Sequence, residues 1–74
     1  MTLRELCMSV RPAQRIRIKN SINDPGKVRL RYEVLDESGL VDPSYDPMYL
    51  DWQVRVIQSD SMYDNCILIT IRRA

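Results

Sequence analysis

Histidine and phenylalanine are absent from this 74-residue chain, and glycine occurs only twice. Without histidine, the commonest general base and metal ligand is missing, so no Ser–His or Cys–His catalytic pair can form. Two glycines are too few for a glycine-rich phosphate loop. The two cysteines, Cys7 and Cys66, lie far apart without CxxC spacing, which indicates a reducing compartment and no disulfide scaffold. We therefore expect a protein that is not an enzyme and that holds no metal ion or cofactor.

The composition is that of one small globular domain. Apolar residues make up 45% of the chain and charged residues 28%, which argues against disorder. A chain of 8.7 kDa buries only about 60% of the surface that it exposes when unfolded, so a lone monomer has a marginal core. No apolar run approaches the ~20 residues of a membrane span, and the first ten residues do not resemble a signal peptide. We expect a single cytoplasmic domain over 1–74, without contact with a membrane.

The start of the chain predicts a helix over 2–10. Thr2 and Glu5 match the capping box, in which each side chain satisfies the other residue's free backbone N–H. The helix should end before Pro12, because proline pushes the preceding residue out of the helical region. Four apolar residues recur at the helical spacing i, i+3, i+4 and i+7: Leu3, Leu6, Cys7 and Val10.

After the helix, apolar and polar residues alternate with a period of two in four segments. This alternation predicts half-buried strands at about 14–19, 27–35, 52–58 and 65–72. Pro25 and Gly26 between the first two strands suit the second and third positions of a type II turn, and a short polar connector joins the last two. The segment 36–51 instead carries five acids and two prolines. It predicts a long loop with one helical turn around 47–50.

The expected fold class is α+β. One short N-terminal helix packs on one face of a four-stranded, mainly antiparallel sheet that consists of two hairpins.

Basic residues concentrate at the strand positions that would face away from the helix. If the apolar positions face the helix, the other face of the sheet carries eight of the eleven basic residues: Arg15, Arg17, Lys19, Lys27, Arg29, Arg31, Arg55 and Arg72. Arginine outnumbers lysine there, and its planar fork suits bidentate contacts with phosphate or carboxylate. The residues that we expect to bind an anionic ligand are Arg15, Arg17, Arg29, Arg31 and Arg55, with Tyr45 as a stacking group.

Solvation of the sheet is the competing interpretation of this basic surface. Exposed strand positions are commonly filled by long charged side chains, which also discourage edge-to-edge pairing. However, like charges opposite each other across a hairpin are destabilising. Such a surface therefore calls for a counter-charge from the acidic loop 36–51 folding back, from another subunit, or from an anionic ligand.

Two further surfaces follow from the predicted fold. Ile57, Cys66 and Leu68 would form an apolar patch on the basic face, which predicts an interface in a homo-oligomer, a dimer by base rate. The acidic loop places Tyr45 and Tyr49 beside Trp52, and aromatic residues with a charged rim are typical of contacts between proteins.

Several segments resemble a group of small proteins encoded by phages and mobile elements of gut Firmicutes. The resemblance lies in the TLREL start, the strand QRIRIKN, and the late pair YLDWQVRVI and NCILITI. It covers most of the chain but departs at 42–49, which has no counterpart, and the group has no catalytic signature to transfer. The resemblance implies a phage or mobile-element origin in a bacterial host. By analogy, it implies an inhibitor of host defence, such as an anti-CRISPR protein, that acts by binding.

These observations leave two functions open. In the first, a non-catalytic counter-defence inhibitor captures a nucleotide signal or a nucleic-acid segment on the arginine face. In the second, a protein–protein inhibitor or adaptor blocks a host defence effector through the acidic, tyrosine-containing loop.

Overall fold

The computed structural model describes residues 1–21, 23–40 and 42–73, without the side chain of Leu40. The elements over these residues are α1 (Leu3–Ser9), β1 (Arg15–Lys19), β2 (Val28–Leu30), α2 (Arg31–Val34), β3 (Leu35–Asp36), β4 (Gly39–Leu40), a 3₁₀ helix (Pro47–Asp51), β5 (Gln53–Ser59) and β6 (Cys66–Arg72). The α+β class is confirmed, with one short N-terminal helix against a four-stranded sheet. The helices described are too short and too polar to cross a membrane.

The main sheet joins two antiparallel hairpins through a parallel pair at its centre. Its strand order is β2-β1-β6-β5. β1 and β2 are antiparallel, as are β5 and β6, while β1 runs parallel to β6 with Arg15 opposite Cys66 and Lys19 opposite Thr70. A β-bulge interrupts the β5–β6 register between Val54 and Val56. The parallel pair therefore places the carboxyl ends of the first and last strands side by side.

The predicted capping box starts α1 as expected. The Thr2 side chain accepts a hydrogen bond from the Glu5 backbone N–H at 3.2 Å, and the Glu5 carboxylate accepts one from the Thr2 N–H at 2.9 Å. The buried face of α1 packs on the apolar face of the sheet. The core comprises Leu3, Leu6, Cys7, Ile16, Ile18, Val34, Leu35, Leu50, Ile69 and Ile71.

The connection between β1 and β2 differs from the predicted turn. Gly26 has the positive φ of +71° that the third position of a type II turn requires, but residues 24–27 form neither a turn nor a bend. The Asp24 N–H donates instead to the Ser21 carbonyl at 3.2 Å. A Cβ atom on Gly26 would lie 2.7 Å from the Ile18 carbonyl oxygen and 2.9 Å from Cγ of Arg17. Glycine is therefore needed both for the backbone angle and for the close approach of this segment to β1.

The strand predicted over 27–35 is wrong in its second half. The strand ends at Leu30, and residues 31–34 form the single helical turn α2. The turn buries Arg31 and Val34, three residues apart, and leaves Tyr32 exposed. The alternation of this segment matched a strand, but the spacing of its buried residues is that of a helix.

Arg31 is buried because it satisfies backbone carbonyls in this turn. Its Nε donates to the carbonyl of Val10 at the end of α1 (3.2 Å), and its Nη1 donates to the carbonyl of Leu35 (2.7 Å). The last carbonyls of a helix have no intrahelical partner. Arg31 therefore closes the end of α1 and does not project from a strand, as the predicted basic face required.

The segment 36–51 contains more structure than the predicted loop. β3 and β4 form a two-stranded hairpin in which the Asp36 carboxylate accepts hydrogen bonds from the Ser38 N–H and hydroxyl. The helical turn expected around 47–50 is confirmed as the 3₁₀ helix, which starts where Asp46 accepts a hydrogen bond from the Met48 N–H.

We predict that Arg31→Gln destabilises the fold, because the shorter amide cannot reach both carbonyls. A buried acceptor left without a partner costs about 1–3 kcal/mol. Urea denaturation should show this loss in the free energy of unfolding. Arg11→Gln, at an exposed position, is the matched control and should leave the free energy of unfolding unchanged. Equal stability of the two variants would contradict the structural role of Arg31.

Candidate functional site

Arg17, the centre of the predicted arginine face, lies in a buried ion pair. Its Nε and Nη2 donate to the two carboxylate oxygens of Asp60 at 2.7 and 3.0 Å, and its Nη1 donates to the Pro25 carbonyl at 2.7 Å. The Asp60 side chain is fully buried, and the Tyr63 ring centroid lies 5.4 Å from Cζ of Arg17. These contacts occupy all three nitrogens of the guanidinium.

This ion pair also determines the charge state of Asp60. Hydrogen bonds from Arg17 hold the pKa of the Asp60 carboxyl below its usual range, although burial opposes this effect. Asp60 directly follows β5 and its N–H donates to the Cys66 carbonyl. The pair therefore links β1 to the connector of the β5–β6 hairpin, and the third nitrogen of Arg17 links β1 to the connection at Pro25.

Arg15 and Arg29 also make contacts within the protein, on opposite faces of the sheet. Nη1 of Arg15 donates to the Asp64 carbonyl at 3.0 Å. Arg29 lies opposite Ile16 in the β1–β2 register, and cross-strand partners share a face, so Arg29 is on the helix side of the sheet. There its guanidinium pairs with the Asp42 carboxylate and lies 5.4 Å from the Tyr45 ring centroid.

The predicted arginine face is therefore not a single surface. Arg31 caps α1, Arg29 lies on the helix side, and Arg17 is occupied by Asp60. The expected counter-charge comes from the chain itself. Asp42, in the acidic segment, meets Arg29, and its pKa is lowered chiefly by hydrogen bonds from Ser44 and further by Arg29.

The aromatic residues of the acidic loop pack against the core. The Tyr45 and Tyr49 ring centroids are 5.6 Å apart, and Tyr49 meets Trp52 edge to face at 4.7 Å. Burial raises the pKa of Tyr45. Its hydroxyl is buried and has no hydrogen-bond partner among the described residues. Tyr45 is therefore not a free stacking group on the sheet surface.

The predicted apolar patch is also wrong as a single surface, because Ile57 lies opposite Ile69 of the core and so on the helix side of the sheet. Cys66 and Leu68 are 5% and 9% exposed, while Ile57 is 50% exposed. Leu68 lies opposite Arg17 in the β1–β6 register and so shares its face. Only Ile57 of the three is available to a partner, together with its neighbour Val56, which is 46% exposed.

A basic groove lies instead where the carboxyl ends of β1 and β6 meet. Its volume is about 570 Å³. Four cationic residues line it: Lys19, Arg55, Arg72 and Arg73. None of the four makes an ion pair or a side-chain hydrogen bond with another described residue. The half-buried Trp52 and the apolar residues Val56 and Ile71 also line it, and three small polar residues complete the lining: Asn20, Ser21 and Thr70.

The charge of this groove distinguishes it from the other depressions of the described surface. Each of three further cavities has acidic residues in its lining: Asp36 and Glu37, Asp60 and Asp64, and Asp24 and Asp46. No carboxylate of the described chain lines the basic groove. Four positive charges with no carboxylate from residues 1–21, 23–40 or 42–73 in the lining, beside an indole ring, can hold a phosphorylated or carboxylated ligand.

Of the predicted ligand residues, the groove contains only Arg55. Lys19, Trp52, Arg72 and Arg73 were missed as site residues because their proximity depends on the parallel pairing of β1 with β6. The sequence does show that β1 and β6 both end in basic residues. This pattern predicts a shared cationic site only once the two strands are known to run in the same direction.

The described residues offer no comparable metal or thiol site. They contain no group of three or more acidic or cysteine side chains that could hold a metal ion. Burial raises the pKa of Cys7 to about 11, so its thiol stays protonated at neutral pH.

No protein-family model, curated protein or solved structure matches the chain.

We predict that the Arg17–Asp60 pair makes stability depend on pH in the acid range. Because the pKa of Asp60 is lower in the folded protein, its contribution is fully present above the unfolded value of about 4. This contribution is lost as the pH falls through the lowered, folded pKa. The melting temperature should therefore fall steeply between about pH 5 and pH 2.

Asp60→Asn tests this assignment. The variant should melt on the order of 10 °C lower at pH 7, because the buried guanidinium loses its counter-charge. It should also show a shallower decline in acid, where only other carboxyls such as Asp42 still titrate. Asp64→Asn, at an exposed position of the same connector, should follow the wild-type curve. An unchanged acid slope in Asp60→Asn would show that the pair does not control it.

Proposed function

We propose that the protein is a non-catalytic binding protein that captures an anionic, phosphorylated ligand in the basic groove. The ligand would be a nucleotide or the end of a nucleic-acid segment. Lys19, Arg72 and Arg73 would contact the phosphates, with Arg55 at the β5 side of the groove. The observation that supports this proposal most directly is the group of four cations with no counter-charge among the described residues.

The contrast between the groove cations and three arginines elsewhere in the described chain favours a ligand over solvation. Arg4, Arg17 and Arg29 each face a carboxylate within the chain. Leaving several like charges close together without a partner is destabilising, and an anion would relieve this repulsion. Arginine at three of the four positions also suits bidentate contacts with phosphate oxygens.

Trp52 supplies the second element of recognition. The indole lies in the lining together with Val56 and Ile71, so one wall of the groove is apolar. An aromatic ring beside a cationic surface can stack with a nucleobase and tolerates any base, because each base has a π face. Trp52 takes the stacking role that the sequence assigned to Tyr45.

The second function, a protein–protein inhibitor acting through the acidic loop, has less support. Two of its expected aromatic anchors, Tyr45 and Tyr49, pack against the core, and the third, Trp52, lines the basic groove and not an acidic surface. Counter-defence in the cytoplasm of a bacterial host is the biological setting that we propose for ligand capture. That setting rests on the resemblance to phage and mobile-element proteins.

Ligand binding can be measured directly, because Trp52 is the only tryptophan. We predict that a nucleotide or short oligonucleotide changes its fluorescence and raises the melting temperature at low salt. Lys19→Gln with Arg72→Gln should keep the fold and weaken binding. Each lost charge-assisted hydrogen bond is worth about 1.5–3 kcal/mol, or roughly ten- to a hundredfold in affinity.

The matched control removes two charges elsewhere. Arg11→Gln with Lys27→Gln, at exposed positions outside the groove, should bind as the wild type does. Added salt separates the two ligand classes, because a polynucleotide releases condensed counterions and loses affinity steeply. Equal binding by both double variants, or no response to any nucleotide or oligonucleotide at low salt, would overturn the proposal.

A further inference from the structure

The outer half of β5 is an unpaired sheet edge. The start of the chain covers only its beginning, where the Val54 N–H donates to the Met1 carbonyl at 2.8 Å and Thr2 bridges Gln53. Within the described parts of the chain, no strand pairs with the outer side of residues 55–59. This edge is the remaining place where another strand could join the main sheet through β5.

The direction of the backbone groups along this edge follows from one hydrogen bond. The Asp60 N–H donates to the Cys66 carbonyl at 2.9 Å, so residue 60 faces β6. Inward and outward groups alternate in an antiparallel ladder, so Gln58 also faces β6. Ile57 and Ser59 therefore direct their N–H and C=O groups at the open edge. They present two donors and two acceptors, placed symmetrically about Gln58.

This edge has little of the protection that isolated sheet edges usually have. Val56 and Ile57 are 46% and 50% exposed, on strand positions that point to opposite faces. β5 contains no proline, and its only charged residue is Arg55. The β-bulge lies before Val56, so it does not distort the following three residues. Long, apolar and unprotected edges are sites of association.

We propose that a second copy of this chain occupies the edge, with β5 pairing antiparallel to β5 of its partner about a twofold axis at Gln58. Ile57 then lies opposite the partner's Ser59, and Ser59 opposite the partner's Ile57. This register satisfies all four outward backbone groups of each copy and extends two four-stranded sheets into one of eight strands. The interface is isologous, as in most dimers.

Symmetry and charge favour a second copy over an unrelated strand. The outward groups are self-complementary about Gln58, so the same strand reversed supplies every partner they need. In this register Arg55 lies beyond the end of the partner's β5, which stops at Ser59, and not opposite the partner's Arg55. Like charges are thus kept apart along the paired strands.

A charge swap at the axis tests this register. The wild type should sediment at twice its chain mass of 8.7 kDa at high concentration. Gln58→Asp and Gln58→Lys each place like charges opposite each other, so each should weaken self-association by about five- to tenfold. Their equimolar mixture places Asp opposite Lys and should restore the dimer. Gln58 is exposed, so neither variant should lose its fold.

Cross-linking provides a second measurement that does not depend on affinity. Residues at a non-hydrogen-bonded antiparallel site have Cα atoms about 4.5 Å apart, within disulfide range. Gln58→Cys should therefore form a dimer rapidly under mild oxidation, while Gln53→Cys, on the covered part of β5, should not. The native cysteines are both buried and do not compete. Monomeric wild type at all concentrations, no restoration in the mixture, or equal cross-linking of the two cysteine variants would overturn the proposal.

Discussion

The ion pair between Arg17 and Asp60 holds together segments that the chain places far apart. Three nitrogens of one guanidinium bind the carboxylate after β5 and the carbonyl of Pro25 in the connection between β1 and β2. A buried ion pair adds little net stability compared with apolar side chains of the same size, but loss of one partner is severe. Its effect is therefore to specify the arrangement: β1 must lie beside β6, and both connectors must fold over the same face.

Because several arginines bind groups within the fold, the distribution of charge on the surface differs from the one that the sequence suggested. A nearly neutral chain with basic strands suggested one broad cationic surface. Arg17 and Arg31 are instead buried and bonded within the fold, and Arg29 is neutralised by the acidic segment. Among the described residues, the cations that share one groove without a carboxylate in its lining lie at the end of the sheet, so the region that we propose for an anion is small and defined in position.

Local patterns in the sequence predicted most of the helices and strands. They did not predict which face of the sheet each side chain occupies. The capping box of Thr2 and Glu5, the positive φ of Gly26 and the four main strands depend on neighbouring residues, and all are present in the structure, although no turn forms over 24–27. The position of Arg29 depends on pairing register, and a shift of one residue moves a side chain to the other face. Arg31 was misplaced because alternation over four residues does not distinguish a strand from one helical turn. The groove depends on the parallel pairing of β1 with β6, which no local pattern encodes.

The central parallel pair also constrains how the domain can form. β1 acquires its inner neighbour only when β6, which pairs residue 66 with residue 15, has been synthesised. Contacts between residues so distant in sequence require a long loop to close first, and such topologies fold slowly for their size. During translation, the β1–β2 hairpin therefore exposes the β1 edge until β6 has been synthesised. The ion pair that fixes the sheet can form only in the last stage of chain elongation over this domain.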